Sequence, residues 1–162
     1  MILKIQKKLV YLDTSVIGGC FDEGFSEESS KLMEMIRLGV YAGMISPISL
    51  RELERAPRNV QEIIEEFDDD ELIRLVDSEP VDTLTRAYLN AEIVPKKYSD
   101  DAGHIAFATV HAADVLVSWN FKHIVNLRSI EAFNAINDRM GYRHLEIRSP
   151  KELIYGKDEE KL

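Results

Sequence analysis

Residues 100–119 read DDAGHIAFATVHAADVLVSW, and this stretch decides the architecture. Its first part, from Asp100 to about Ala112, places Ile105, Ala106, Ala108 and Thr109 on a strongly apolar helix. Its second part, Asp114–Trp119, is a short run rich in β-branched residues that reads as a strand buried on both faces. A helix that hands over to such a strand within a few residues is the repeating unit of an α/β fold.

The alternation extends in both directions. Lys8–Leu12 (KLVYL) is a short apolar strand ending at Asp13, and Val40–Ile45 is another. Between them, Gly18, Gly19 and the acidic stretch 22–30 read as a loop. Ser26 is placed to cap a helix running to Leu38 on the face of Leu32, Met35 and Ile36. Ser46-Pro47 then opens a helix to about Ala56, with Ser as N-cap and Pro at the first helical position. Val60, Ile63, Ile64 and Phe67 recur at helical spacing; Leu72–Val76 fits a strand or a short helix, and Pro80–Ala91 a helix. After 100–119 come a helix over Ser129–Met140, a strand at Leu145–Arg148 and a short helix at Lys151–Tyr155. The pattern predicts a single α/β domain over residues 1–155, a central parallel sheet of about four to five strands covered by helices on both faces. Residues 156–162 read as a charged, frayed tail.

Bulk properties narrow the function. The 162 residues are 45% hydrophobic, enough for one sizeable core, and hold no apolar run long enough to span a membrane. Met1–Val10 alternates apolar residues with Lys and Gln and lacks the pattern of a signal peptide. Cys20 is the one cysteine, which excludes an internal disulfide and suits a reducing cytoplasm. The formal net charge of −9 argues against broad, backbone-driven binding of nucleic acid. It is compatible with carboxylates gathered around a divalent metal, and equally with an ordinary acidic surface.

Ligands of open α/β sheets gather beyond the carboxyl ends of the strands. Asp13 follows the KLVYL strand directly, and Glu52 lies on the helix after the second strand. Asp100 and Asp101 begin the helix before DVLVSW; that helix runs antiparallel to the strands, so its start need not fall at the same edge. Converging carboxylates suit a hard cation such as Mg²⁺ or Mn²⁺, which can activate water and neutralise charge on a phosphodiester. There is no glycine-rich phosphate loop and no Cys/His spacing for zinc. Each acid also has a plainer reading. Asp13 could cap the next turn, Glu52 could close a capping box with Ser49, and Asp100 and Asp101 could complement a helix dipole.

Together these segments resemble the PIN-domain family, which includes ribonuclease toxins of the VapC type. VYLDTSVIGG resembles its first motif, with Asp13 at the acid and Ser15 at the small polar position. SPISLREL resembles the second, with Glu52 at the acid and Glu54 left to a solvated face. DDAGHIAFATVHAADVLVSWNFKHI resembles the third and fourth, with Asp101 at the acid and Asp100 as an extra neighbour. The motifs span residues 10–124. The resemblance implies a Rossmann-like PIN domain and an endoribonuclease whose Asp13, Glu52 and Asp101 hold Mg²⁺ or Mn²⁺. It further implies an RNA substrate, an antitoxin partner and a homodimer. Two positions depart from the pattern. Gly103 stands where Leu is common, and Asn120 holds a position that often carries a fourth acid. Asn120 can ligate a metal or hold a water through its amide oxygen, but brings no charge.

Lys122 and His123, in the loop after DVLVSW, are candidates for phosphate contact. His104 reads as packed or hydrogen-bonded, Trp119 as core, and His111 and His144 as surface. Cys20 has no neighbouring base to make it a nucleophile. Two other functions compete. A haloacid-dehalogenase-type phosphatase also starts from a strand-end Asp, but wants a second acid two residues on, where Ser15 stands. A catalytically weak or inactive PIN scaffold that binds RNA or a partner fits Asn120 and the negative charge.

Overall fold

The computed structural model describes residues 7–160. The described residues form a five-stranded, all-parallel sheet of order β3-β2-β1-β4-β5. The strands are β1 (Lys8–Leu12), β2 (Tyr41–Ile45), β3 (Leu72–Arg74), β4 (Val115–Val117) and β5 (Ile147–Arg148). Parallel neighbours need long crossovers. The eight described α-helices are α1 (Thr14–Gly18), α2 (Ser26–Arg37), α3 (Pro47–Leu53), α4 (Arg58–Glu65), α5 (Glu79–Asn90), α6 (Ser99–Val110), α7 (Leu127–Arg139) and α8 (Pro150–Glu160). Of these, α1 to α7 lie in the crossovers and α8 follows the last strand.

Period-two alternation in β1 shows why the strand must be covered twice. Val10 and Leu12 face a core built with Leu32, Ile36, Ile64 and Ile154, from α2, α4 and α8. Tyr11 faces the other way, into a core with Leu84, Ile105 and Phe133 from α5, α6 and α7. All three are fully buried. The short apolar strands therefore mean what the sequence implied, a sheet with no solvent face.

Several local expectations change. Gly18 and Gly19 do not lie in a loop: Thr14–Gly18 forms α1 and Gly19–Phe21 a 3-10 turn, because Val16 and Ile17 are pulled into the core. Ser26 is the first residue of α2 and Phe25 occupies the cap position. Leu72–Arg74 is a strand, and α8 continues past Tyr155 to Glu160, into the segment expected to fray. His111 is half-buried beside Phe107 instead of lying on the surface. The reading of Met1–Val10 concerns residues of which 1–6 lie outside the described ones. No described helix is long and apolar enough to cross a membrane.

Connections from β1 lead to β2 on one side, while the chain re-enters on the other side at β4. The sheet's switch point thus lies between the carboxyl ends of β1 and β4, where α/β folds open a crevice.

Candidate functional site

Asp13 sits at that switch point. Its N–H donates to the carbonyl of Val117 at 3.0 Å, continuing the β1–β4 ladder one residue past the strand. It is the N-cap of α1, yet its side chain makes no capping bond, so the carboxylate is not consumed by the turn. Instead Oδ2 accepts from the hydroxyls of Ser15 and Ser118, both at 2.7 Å. Each hydroxyl is oriented in turn by a backbone donor: Trp119 N–H to Ser15 Oγ at 3.0 Å, Asn120 N–H to Ser118 Oγ at 2.9 Å. Asp13 is only 6% exposed. Ser118 escaped the sequence reading, although a β1–β4 pairing with Leu12 opposite Val117 puts it beside Asp13.

Glu52 lies inside α3. The helix starts at Pro47, and the Ser46 N–H donates to Ser49 Oγ at 3.1 Å, so Ser49 serves the cap and Glu52 does not. Glu52 Oε1 accepts from Thr14 Oγ1 at 2.9 Å and meets His104 Nε2 at 2.6 Å. Glu54 is exposed at the end of α3, as a solvated residue should be.

His104 joins the two acids. It is fully buried, with Nε2 at 2.6 Å from Glu52 Oε1 and 3.4 Å from Asp13 Oδ1. Its Nδ1 meets the Tyr11 hydroxyl at 2.7 Å, and that hydroxyl donates to Ser46 Oγ at 2.7 Å. With the Tyr11 proton on Ser46, Nδ1–H donates to the phenol oxygen and Nε2–H to Glu52. The charged imidazolium satisfies every partner. Burial works against that charge, but Tyr11, the Glu52 hydrogen bond and the charges of Asp13 and Glu52 outweigh it. They push the His104 pKa well above its ordinary 6.5. Burial likewise opposes charge on Glu52, but His104, Thr14 and Arg51 prevail and hold its carboxyl below the usual range. His104 is thus hydrogen-bonded, as expected, and also electrostatically central.

Asp101 reaches the same edge. Helix α6 must end at the amino edge of the sheet, where Asp114 N–H donates to the Leu9 carbonyl at 2.9 Å and β4 begins. Twelve helical residues rise roughly 18 Å, about the length of β1, so the start of α6 falls at the carboxyl edge. Running antiparallel to the strands is therefore what brings Asp101 to the site. Gly103, buried against α3, permits the close approach: a Cβ there would lie 2.3 Å from Ile48 Cδ1. Asp101 Oδ2 accepts from Asn120 Nδ2 at 3.2 Å. Burial, then the charges of Asp13 and Glu52, raise its pKa from 3.8 to about 6, against the opposing pull of His104 and Asn120.

The other candidates divide. Asn120 is beside Asp101, but its Oδ1 accepts from the His123 N–H at 3.0 Å, so the amide joins Asp101 to the 120–123 loop. Asp100 turns away to pair with Arg51 at 2.9 Å, linking α6 to α3 on the exposed side. His123 packs its ring 4.4 Å from that of Tyr98, and Lys122 is exposed on the same loop. Trp119 is not core: it is half-buried and, with Phe25, walls a cleft that Asp13, Glu52, Asp101 and Asn120 also line. The volume of this cleft is about 410 Å³.

The donor set fits a hard cation. Asp13 and Glu52 bring carboxylate oxygens, and His104 a ring nitrogen, within 4.8 Å of one another. The two carboxylates are the hard donors, and His104 with both nitrogens protonated offers no lone pair. Asp101 stands outside that tightest group but inside its field.

Solved structures with the same architecture put this arrangement in context. A chain of VapBC2 from Rickettsia felis, bound in its crystal to a DNA fragment from their promoter, matches with a TM-score of 0.56. A chain of FitAcB from Neisseria gonorrhoeae matches with a TM-score of 0.53. The chain has the PIN-domain fold. Identity is 15% in both cases, and 87% of this chain is covered, with 98% of the first and 97% of the second. At that identity the likeness is one of fold. No family model and no curated protein matches the sequence. The PIN-fold resemblance read from the motifs therefore holds at the level of architecture.

Proposed function

We propose that this protein is a metal-dependent endoribonuclease and the toxin member of a toxin–antitoxin pair. The observation that carries the reading is the convergence of Asp13, Glu52 and Asp101, from three separate elements, on the switch point of a PIN-fold sheet. Asp13, Glu52 and Asp101 are the residues that would hold Mg²⁺ or Mn²⁺. Bound there, the ion would bring positive charge to a phosphodiester and lower the pKa of a water. The chain's own groups prepare the site. Ser15 and Ser118 fix Asp13 so that Oδ1 points inward, Thr14 and His104 fix Glu52, and Asn120 fixes Asp101. Lys122, exposed two residues after Asn120, is the cation of that loop offered to phosphate. The antitoxin partner rests on the likeness to two toxin–antitoxin assemblies, the homodimer on the motif resemblance alone, and the reducing cytoplasm on the lone Cys20.

Asp13→Asn keeps the hydroxyl partners and removes the charge. Its Mn²⁺-dependent RNA cleavage should fall below detection while wild type cuts; equal cleavage would sink the assignment. One observation favours a second reading, that of a weak or inactive scaffold. The fourth position holds an amide whose oxygen is already engaged by His123. Calorimetric titration separates the two, because a scaffold without a metal site shows no heat of binding at millimolar Mn²⁺.

A further inference from the structure

Three exposed or half-exposed aromatic rings stand beside the carboxylates, and the metal chemistry does not use them. Trp119 directly follows Ser118, whose hydroxyl holds Asp13, and its indole is locked in place. Nε1–H donates to Ser29 Oγ at 2.8 Å, and the ring lies against bare backbone at Gly19. A Cβ at Gly19 would come within 2.9 Å of Nε1 and 3.0 Å of Cδ1. Phe25 stacks on the indole with centroids 4.4 Å apart and planes 23° from parallel. Phe121 flanks it at 6.3 Å. Phe25 is 36% and Phe121 50% exposed, so apolar ring surface stays in water at the mouth of the cleft.

From this geometry we infer that Phe25, Trp119 and Phe121 form a stacking shelf for an unpaired nucleobase next to the phosphate held by the acidic site. The inference rests on the proposed nuclease reading for its substrate, and adds that the substrate is single-stranded at the site. The near-parallel Phe25 and Trp119 rings suit a base, whose faces stack regardless of sequence, and Phe121, tilted 59° to the indole, borders them. The shelf and the acids are rigidly related, since Ser15 Oγ accepts from Trp119 N–H and donates to Asp13. Two cations lie on the 120–123 side of the shelf: Lys122 follows Phe121 directly, and Lys97 lies over the Tyr98 ring that packs on His123.

Trp119 is the one tryptophan, so its fluorescence reports the shelf directly. The probes are a short oligoadenylate and a strand of equal length made of abasic sugar-phosphate units, both with non-cleavable linkages and titrated in Mn²⁺. Oligoadenylate should quench Trp119 saturably, whereas the abasic strand should bind more weakly without quenching. Phe25→Ala should weaken oligoadenylate binding by roughly 5- to 100-fold and leave the abasic strand's affinity unchanged. Phe25→Leu keeps apolar bulk over the indole and should show the same loss, which covers the case in which the alanine variant fails to fold. Equal affinity of wild type for both strands, or no binding of either, overturns the shelf and leaves the rings to a protein partner's apolar side chains. The outcomes separate from those of the nuclease reading. Base-dependent quenching without Mn²⁺-dependent cleavage keeps the shelf and loses the enzyme; cleavage without base dependence does the reverse.

Discussion

Replacing Asp101 by Asn should stabilise the metal-free protein at neutral pH while removing its response to metal. The reason is the burial of its carboxyl, reinforced by the charges of Asp13 and Glu52. Together they raise the Asp101 pKa from 3.8 to about 6. A carboxyl whose folded pKa lies above its unfolded value costs stability wherever it must be ionised. The cost is complete above pH 6, shrinks as pH falls, and vanishes below the ordinary aspartate value. A shift of about two units corresponds to a ceiling of about 3 kcal/mol at pH 7, and to less than 1 kcal/mol near pH 4. Solvent screening of a half-buried group lowers the ceiling. The amide oxygen of the substituted side chain would still accept from Asn120 Nδ2, so little is lost in exchange. We therefore expect a gain of about 1–3 kcal/mol at pH 7, or roughly 2–8 °C in Tm for a domain of this size. Thermal unfolding in EDTA at pH 7 and pH 4, followed by circular dichroism, reads both values. Adding Mn²⁺ should then raise the Tm of wild type more than that of Asp101→Asn. A variant no more stable than wild type at pH 7, or one equally stabilised at both pH values, would refute the electrostatic reasoning.

Four more outcomes can be stated. His104→Ala should destabilise the protein by about 2–4 kcal/mol, through a cavity and the lost hydrogen bonds to Tyr11 and Glu52, measured by urea unfolding. Because the folded pKa of His104 is raised, its contribution is complete below pH 6.5 and lost as pH climbs through the raised value. The metal-free gap between wild type and His104→Ala should therefore narrow in alkaline buffer. Gly103→Ala gains about 1 kcal/mol of helix propensity but drives a methyl against Ile48, for a net loss of about 1–2 kcal/mol. Ile48→Val deletes the offending Cδ1, so on that background the same alanine should stabilise in chemical denaturation. Asn120→Asp should lower metal-free stability by about 1–2 kcal/mol, by placing like charge against Asp101, and tighten Mn²⁺ binding by about tenfold in calorimetry.

Much of the site was legible because strand ends are legible. KLVYL followed by Asp13 marks a carboxylate at the edge of a buried parallel sheet, and Ser46-Pro47 marks a helix start that leaves Glu52 free. What the linear pattern could not supply was partnership across elements. His104 lies three residues after Asp101 in sequence, but its partners Tyr11, Asp13 and Glu52 come from β1, its carboxyl end and α3. Trp119 looked like core because aromatic residues at strand ends usually are; only the placement of Gly19, Phe25 and Ser29 turns it toward the cleft. Gly103 looked like a helix weakness until α3 was seen to rest against it.

The sequence by itself determined the layered α/β plan, since short apolar strands alternating with amphipathic helices leave few other ways to bury both sheet faces. It also determined that Asp13 stands at a strand's carboxyl end. The tertiary structure decided that Asp101 shares that edge, that His104 lies between Asp13 and Glu52, and that Asn120 serves Asp101 and the loop at once. These depend on distances between residues 19 to 91 positions apart. Periodicity reports which way a side chain faces on its own element; only the packing of elements reports what it meets there.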